Sequence, residues 1–295
     1  MSNIVKFYSD SHFLQWLFRE SVLSKALHRL LQYYRFFEYK YIAYKDNRAR
    51  DFRKKGGADT RFSELRSLHM RYKGKRCFIT CTGPSLTVQD LELLKDEYVF
   101  GMNSICLIHD QTSWKPDFYG IEDIFVFEKL KEKLLNTDNG QIFAPLEFKE
   151  SYNTPGNWVY FHTSWAYHMY DRKYRNKFYC RFSDDCYATV YDGYTITYSI
   201  LQLAVYLGFD EIYLLGADCS YLGNKQHFID HGHATDYQSA LNATDRLMVS
   251  YAEAKKYADC HGVKIFNATR GGLLELFPRV ELETVLKKNE KNKLS

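Results

Sequence analysis

The 295-residue chain is poor in proline, with five, and has no cysteine pair in CxxC spacing. Its seven cysteines, at 77, 81, 106, 180, 186, 219 and 260, are odd in number, and several interrupt apolar runs. This excludes a thiolate zinc ribbon and argues against a disulfide framework. Cys77 and Cys106 read as small buried hydrophobes in a reducing compartment. No run reaches the roughly 18 uninterrupted apolar residues of a spanning helix. The opening MSNIVKFYSD lacks the basic-then-apolar order of a signal peptide, so a soluble cytoplasmic protein is expected. GxGxxG, a Walker GK[ST] and HExxH are all absent. Charge of one sign is scarce too: 40 Lys and Arg face 36 Asp and Glu, a net +4 that is too mild for a dedicated nucleic-acid binder.

What is abundant is aromatic surface, with 25 Tyr and 21 Phe. Tyrosine joins an apolar face to a hydroxyl, which suits cores, partner surfaces and stacking on sugars or bases. Residues 11–46 lack Pro and Gly and repeat apolar side chains at helical spacing. Leu14, Leu17, Phe18, Leu27, Leu30, Leu31 and Tyr34 form the stripe, with Arg19, Lys25, Arg29 and Arg35 among the polar positions. Such a helix could pack on the main domain or on a second subunit, which would make a homo-oligomer. It could also lie on an anionic membrane surface, peripheral on the inner face of the cell membrane. The charged, glycine-containing stretch 47–62 reads as a linker. The expected division is therefore an N-terminal helical segment with linker, 1–62, and a main domain, 63–295.

From residue 76 short β runs alternate with helices. Strands are expected at 76–81, 98–103, 117–123, QIFAP, WVYFH, 211–218 and 264–269, and helices at 86–95, 194–208 and 240–262. That alternation implies an α/β, Rossmann-like, largely parallel sheet with helices on both faces. Ligands in such sheets sit beyond the carboxyl ends of the strands, so chemistry should gather at the strand exits.

The first exit reads Thr82-Gly83-Pro84-Ser85. Gly83 would let backbone approach a ligand, Pro84 fixes a turn, and Ser85 and Thr87 could cap the next helix. A capped βα turn and a phosphate cradle fit that tetrapeptide equally well. Asn103 ends the second strand, where its amide could read a base or hold a phosphate; an Asx turn is the plainer alternative. Glu122 and Asp123 follow the third strand. Side chains alternate along a strand, so one of the two faces the ligand; Asp123 is chosen, with Glu122 as a cap or surface residue. Thr195 opens the helix at 194–208 as a second anion contact. Asp218 and Tyr221 follow the strand EIYLLGAD. HFIDHGH sets His227, His231 and His233 around Asp230; its spacing is poor for zinc, and His227 is the expected general base. Arg270, beside Gly271 and Gly272, could clamp a phosphate or pair with a local carboxylate. The two NAT sequons, at 242 and 267, lie on an expected helix and at a strand end, and are discounted as glycosylation sites.

Taken in order, TGPSL, FGMNS, KPDFYGIED, LGFDEIYLLGADCSY and NATRGGLLELFPRV resemble the 6-hydroxymethylpterin diphosphokinase MptE-like family over roughly residues 70–282, in its bacterial surface-polysaccharide branch. The same skeleton is similar to the family 42 bacterial sialyltransferases, with a GT-A-like Rossmann variant and CMP-activated sialic acid. That resemblance implies a nucleotide-sugar donor and a glycan or lipid-linked acceptor. It places Gly83, Ser85 and Asn103 on nucleotide and phosphate, Tyr221 beside the departing phosphate, and His227 as base. The archaeal branch instead implies diphosphate transfer from ATP to a pterin with Mg2+, for which Asp123 and Asp218 would supply carboxylates. A non-catalytic scaffold within a polysaccharide-assembly complex is the third reading.

Overall fold

The computed structural model describes residues 22–136, 138–220 and 237–293. Within them the chain forms two compact units. The larger comprises 49–164 and 178–293; the other comprises 22–48 and Trp165–Lys177.

The larger unit is built on a seven-stranded sheet in the order β5-β4-β3-β2-β1-β8-β9, every pairing parallel. The strands are β1 (Arg76–Thr80), β2 (Tyr98–Met102), β3 (Phe118–Gly120), β4 (Gln141–Pro145), β5 (Val159–Phe161), β8 (Glu211–Leu215) and β9 (Lys264–Asn267). Two short strands, β6 (Thr163–Ser164) and β7 (Val190–Tyr191), form a separate parallel pair. A parallel sheet covered on both faces needs strands that are apolar throughout. That is why Cys77, Phe78 and Ile79 in β1 are all fully buried. Aromatic rings bind neighbouring strands, Phe78 stacking on Tyr213 at 5.0 Å and Tyr213 on Phe266 at 5.1 Å.

Helix α7 (Ile196–Leu207) is almost wholly buried, which explains its apolar, partly β-branched composition. Thr195 caps its start, and Gly208 ends it at φ +100°, where a side chain would be strained. Its one buried amide, Gln202, is fully used. Gln202 accepts from the Ser183 and Tyr191 amides and donates to the Tyr191 and Tyr198 carbonyls. Helix α8 (Tyr237–His261) leads into β9, and α9 (Leu282–Lys293) follows it.

Two expectations about local structure are corrected. The helix after the TGPS loop, α3 (Val88–Glu92), is only five residues long, because turns occupy 93–96. The stretch 47–62 is not a linker: α1 (Val22–Lys54) runs through its first half. Arg53 is buried there, donating to the Ala188 carbonyl at 2.9 and 2.6 Å and to Asp59 at 3.2 Å. The helix ends at Lys54, and Gly56, at φ +91°, turns the chain out of it.

In the smaller unit, α1 lies against α6 (Ala166–Arg175). Phe36 meets Tyr170 edge-on at 4.9 Å and Tyr39 meets Trp165 at 5.9 Å. No helix among the described residues is long and apolar enough to cross a membrane.

Candidate functional site

Strand order places a crevice beyond the carboxyl ends of β1 and β8, where the chain's connections diverge to opposite sides of the sheet. A cavity of about 110 Å3 opens there. Its lining includes Thr82, Gly83 and Pro84 from the β1 exit, Asn103 from β2, Thr195 from the start of α7, and Asp218 from the β8 exit. Six residues nominated from sequence, up to 136 positions apart, thus converge on one hollow.

The TGPS loop is shaped by Asp218. Its carboxylate accepts from the Ser85 hydroxyl at 2.8 Å and from the Ser85 amide at 3.3 Å. A Cβ on Gly83 would fall 2.1 Å from Asp218 Oδ2 and 2.3 Å from the Gly216 carbonyl, so glycine is required for this approach. A Cβ on Gly272 would likewise fall 2.8 Å from the Asp218 backbone. Thr87, not Ser85, caps α3, in a reciprocal capping box with Asp90. The loop is therefore neither a bare capped turn nor an empty cradle. One of its amides already serves an internal carboxylate.

Backbone strain gathers at the cavity. Among the described residues five non-glycines have positive φ, and three of them are Asn103 (+47°), Tyr194 (+70°) and Cys219 (+55°). Asn103 and Cys219 line the cavity, and Tyr194 precedes Thr195 in the lining. Each such conformation costs on the order of 1 kcal/mol and persists where the surroundings impose it. Asn103 carries a second anomaly: its Oδ1 is buried and has no hydrogen-bond partner, as does the adjacent Ser104 hydroxyl. An unsatisfied buried acceptor costs roughly 1–3 kcal/mol, a deficit that a ligand donor would remove.

The thiols in the lining are not nucleophiles. Burial pushes Cys81 and Cys219 up to about 12, so both stay protonated. The α7 amino end faces the cavity through Thr195, Ile196 and Thr197, giving it a polar, electropositive wall. From α8, Leu247 and Tyr251 complete the lining, and no sequence motif marks either.

Three nominated residues are not in the lining: Ser85, held on Asp218, and Asp123 and Arg270. Asp123 is exposed and caps α4 (Ile124–Asn136), accepting from the Phe125 amide at 2.7 Å and the Val126 amide at 3.2 Å. Its neighbour Glu122, expected as the cap, is the inward one and accepts from the Ser199 hydroxyl at 2.9 Å. Burial, and then the nearby Asp192 carboxylate, push Glu122 up to about 8. Arg270 is not in the cavity lining. Its guanidinium grips the buried Asp90 with 2.6 and 2.5 Å hydrogen bonds and reaches Glu283 at 3.4 Å. With Asp123 used as a cap, the carboxylate pair expected for Mg2+ does not assemble, and the residues described here do not fit a two-carboxylate Mg2+ site. Tyr221 and His227, with His231 and His233, lie outside the described residues.

The family model described as 6-hydroxymethylpterin diphosphokinase MptE-like matches residues 58–224. No curated protein matches the chain. Similar solved structures include the MAf glycosyltransferase from Magnetospirillum magneticum AMB-1, 15% identical with a TM-score of 0.48. That match covers 79% of this chain but 40% of the larger protein, so the chain spans under half of that relative's length. The sialyltransferase CstII from Campylobacter jejuni, in complex with cytidine-5'-monophosphate, is 18% identical with a TM-score of 0.43, covering 70% of this chain and 85% of that one.

Proposed function

From the premise that the chain belongs to the 6-hydroxymethylpterin diphosphokinase MptE-like family, we propose that it is a glycosyltransferase using a nucleotide-activated sugar, CMP-linked in the reading favoured here. Its acceptor would be a glycan or a lipid-linked glycan of bacterial surface-polysaccharide assembly, met at the inner face of the cell membrane. The observation that carries a nucleotide pocket is the coincidence of strained backbone with the partnerless Asn103 amide oxygen, at the crevice where such sheets take nucleotides.

In this reading the α7 amino end receives the phosphates, with the Thr195 hydroxyl beside it and the TGPS loop packed alongside, while Ser85 stays engaged with Asp218. The Asn103 amide oxygen accepts from a ribose hydroxyl or a base amino group. Asp218 holds the loop closed through Ser85. Transfer proceeds by attack of an acceptor hydroxyl on the anomeric carbon, with the bond to phosphate breaking and the nucleoside phosphate leaving. His227 takes the hydroxyl proton, and Tyr221 donates to the departing phosphate. Diphosphate transfer from ATP to a pterin is the second reading, supported by the family description. The dispersal of Asp123 and Asp218 weighs against it, since that chemistry asks for carboxylates gathered on Mg2+.

Calorimetric titration separates the readings. CMP or UDP compounds should bind, with Asn103→Ala weakening them about tenfold or more, the cost of one lost buried hydrogen bond. Binding of ATP with Mg2+ alone would replace the transferase by the kinase. Indifference to every nucleotide would favour a scaffold.

A further inference from the structure

The smaller unit breaks a rule that the rest of the protein obeys. On α1, Leu27, Leu30, Tyr34, Phe37, Tyr41 and Tyr44 recur at alternating spacings of three and four, so they share one face of the helix. All six are exposed; Leu30 and Phe37 are at 66%, Tyr34 and Tyr41 at 63%. The opposite face is already occupied, since Phe36 and Tyr39 meet Tyr170 and Trp165. The stripe is therefore not the helix's core-facing side. A contiguous apolar patch of this extent on a soluble protein marks a surface that meets something.

Charge selects the partner. Over 22–48 and 165–177 ten lysines and arginines face three acidic residues, although the whole chain is only +4. The remainder of the protein is thus acidic on balance, and the positive charge is concentrated in the unit that carries the stripe. Lys40, Lys45 and Arg48 lie over the rings of Phe36, Tyr41 and Tyr44, at 5.5, 5.7 and 5.9 Å. Lys45 and Arg48 thus lie on stripe rings, and Lys40 lies on Phe36 at the stripe's flank. The spacing would also suit a coiled coil with a second copy, but that would press two strongly positive units together.

We propose that the exposed face of α1 docks on an anionic lipid bilayer. Leu27, Leu30, Tyr34 and Phe37 would enter the headgroup–acyl boundary, and Lys40, Lys45 and Arg48 would meet lipid phosphates. The inference rests on exposure and charge alone and does not depend on the transferase reading.

Co-sedimentation of the full chain with vesicles tests it. The protein should pellet with phosphatidylcholine–phosphatidylglycerol vesicles, release with added salt, and ignore phosphatidylcholine alone. Phe37→Ser with Tyr41→Ser should lower binding by tenfold or more. Lys40→Gln and Lys45→Gln should each lower it roughly fivefold. These positions are exposed, so unchanged helical dichroism is expected in every variant, and nucleotide titrations should be unaffected. Equal pelleting by wild type and both sets of variants would overturn the proposal. So would a lipid-free dimer, seen by sedimentation equilibrium, that the Phe37/Tyr41 variant dissolves while vesicles capture nothing.

Discussion

The strand-exit cavity and the outer face of α1 break opposite rules of folding. At the cavity, polar groups are buried without partners and backbone is held in costly conformations. On α1, large apolar groups are exposed without cover. Each departure describes what is missing. A buried acceptor asks for a small polar ligand, and an uncovered apolar stripe asks for an extended apolar surface. Function is expected where a sequence departs from what folding alone would choose.

The sharpest way to break the cavity half of this comparison is Gly83→Ala. The new methyl would overlap the Asp218 carboxylate and the Gly216 carbonyl, one a rigid backbone atom. Relief requires the loop to leave β8, at about 3 kcal/mol, the upper end of overpacking costs. Chemical denaturation should show the loss, together with abolished nucleotide binding. Retained stability would mean the loop does not close on Asp218 as described.

Of comparable size is the pH dependence set by Glu122. In the folded chain its carboxyl is pushed up to about 8 from an ordinary 4.5. Between those values the folded protein holds a proton that the unfolded chain releases. Stability therefore falls as pH rises from about 4.5 to about 8 and levels off above, by at most about 1.4 kcal/mol per unit. Glu122→Gln, permanently uncharged, should flatten this part of the stability profile. A slope identical to wild type would show that Glu122 is ionised in the folded state.

The pair at 122 and 123 also shows how far the sequence could be read. Period-two alternation correctly separates the two side chains, but β3 ends at Gly120, so strand geometry no longer decides which points inward. What decides is α4, whose first amides need an acceptor that Asp123 supplies. The parallel sheet was legible because its strands are apolar throughout, and the cavity because Thr82, Asn103, Thr195 and Asp218 all sit at strand exits or a helix start. Arg270 was open between two uses; the partner that claims it, Asp90, is 180 residues away, and no local pattern joins them. The extent of α1 was hidden by charge. Arg50 and Arg53 look like linker residues until Tyr191 and Ala188 provide their acceptors.

A smaller effect separates strain from binding at Asn103. Glycine at this position removes the penalty of φ +47° together with the orphaned amide. Asn103→Gly should therefore leave the free protein equally stable, or more stable by about 0.5–1 kcal/mol, while nucleotide affinity falls. Such an exchange of stability for binding is the mark of a residue kept for its ligand. A destabilised Asn103→Gly protein with undiminished binding would make Asn103 an ordinary turn residue.

The smallest effect belongs to the stripe. Leu30→Ser with Phe37→Ser should change unfolding free energy in solution by no more than about 0.5 kcal/mol per site, because neither side chain loses cover on unfolding. The same double substitution in the core, at Phe78 and Leu214, would remove several kcal/mol. A stability loss of core size at Leu30 and Phe37 would mean that the stripe is already covered in solution, by a second copy or by another part of the chain. The asymmetry between the two regions would then vanish. A near-zero change leaves an apolar face whose burial contributes nothing to folding and is available, undiminished, for docking.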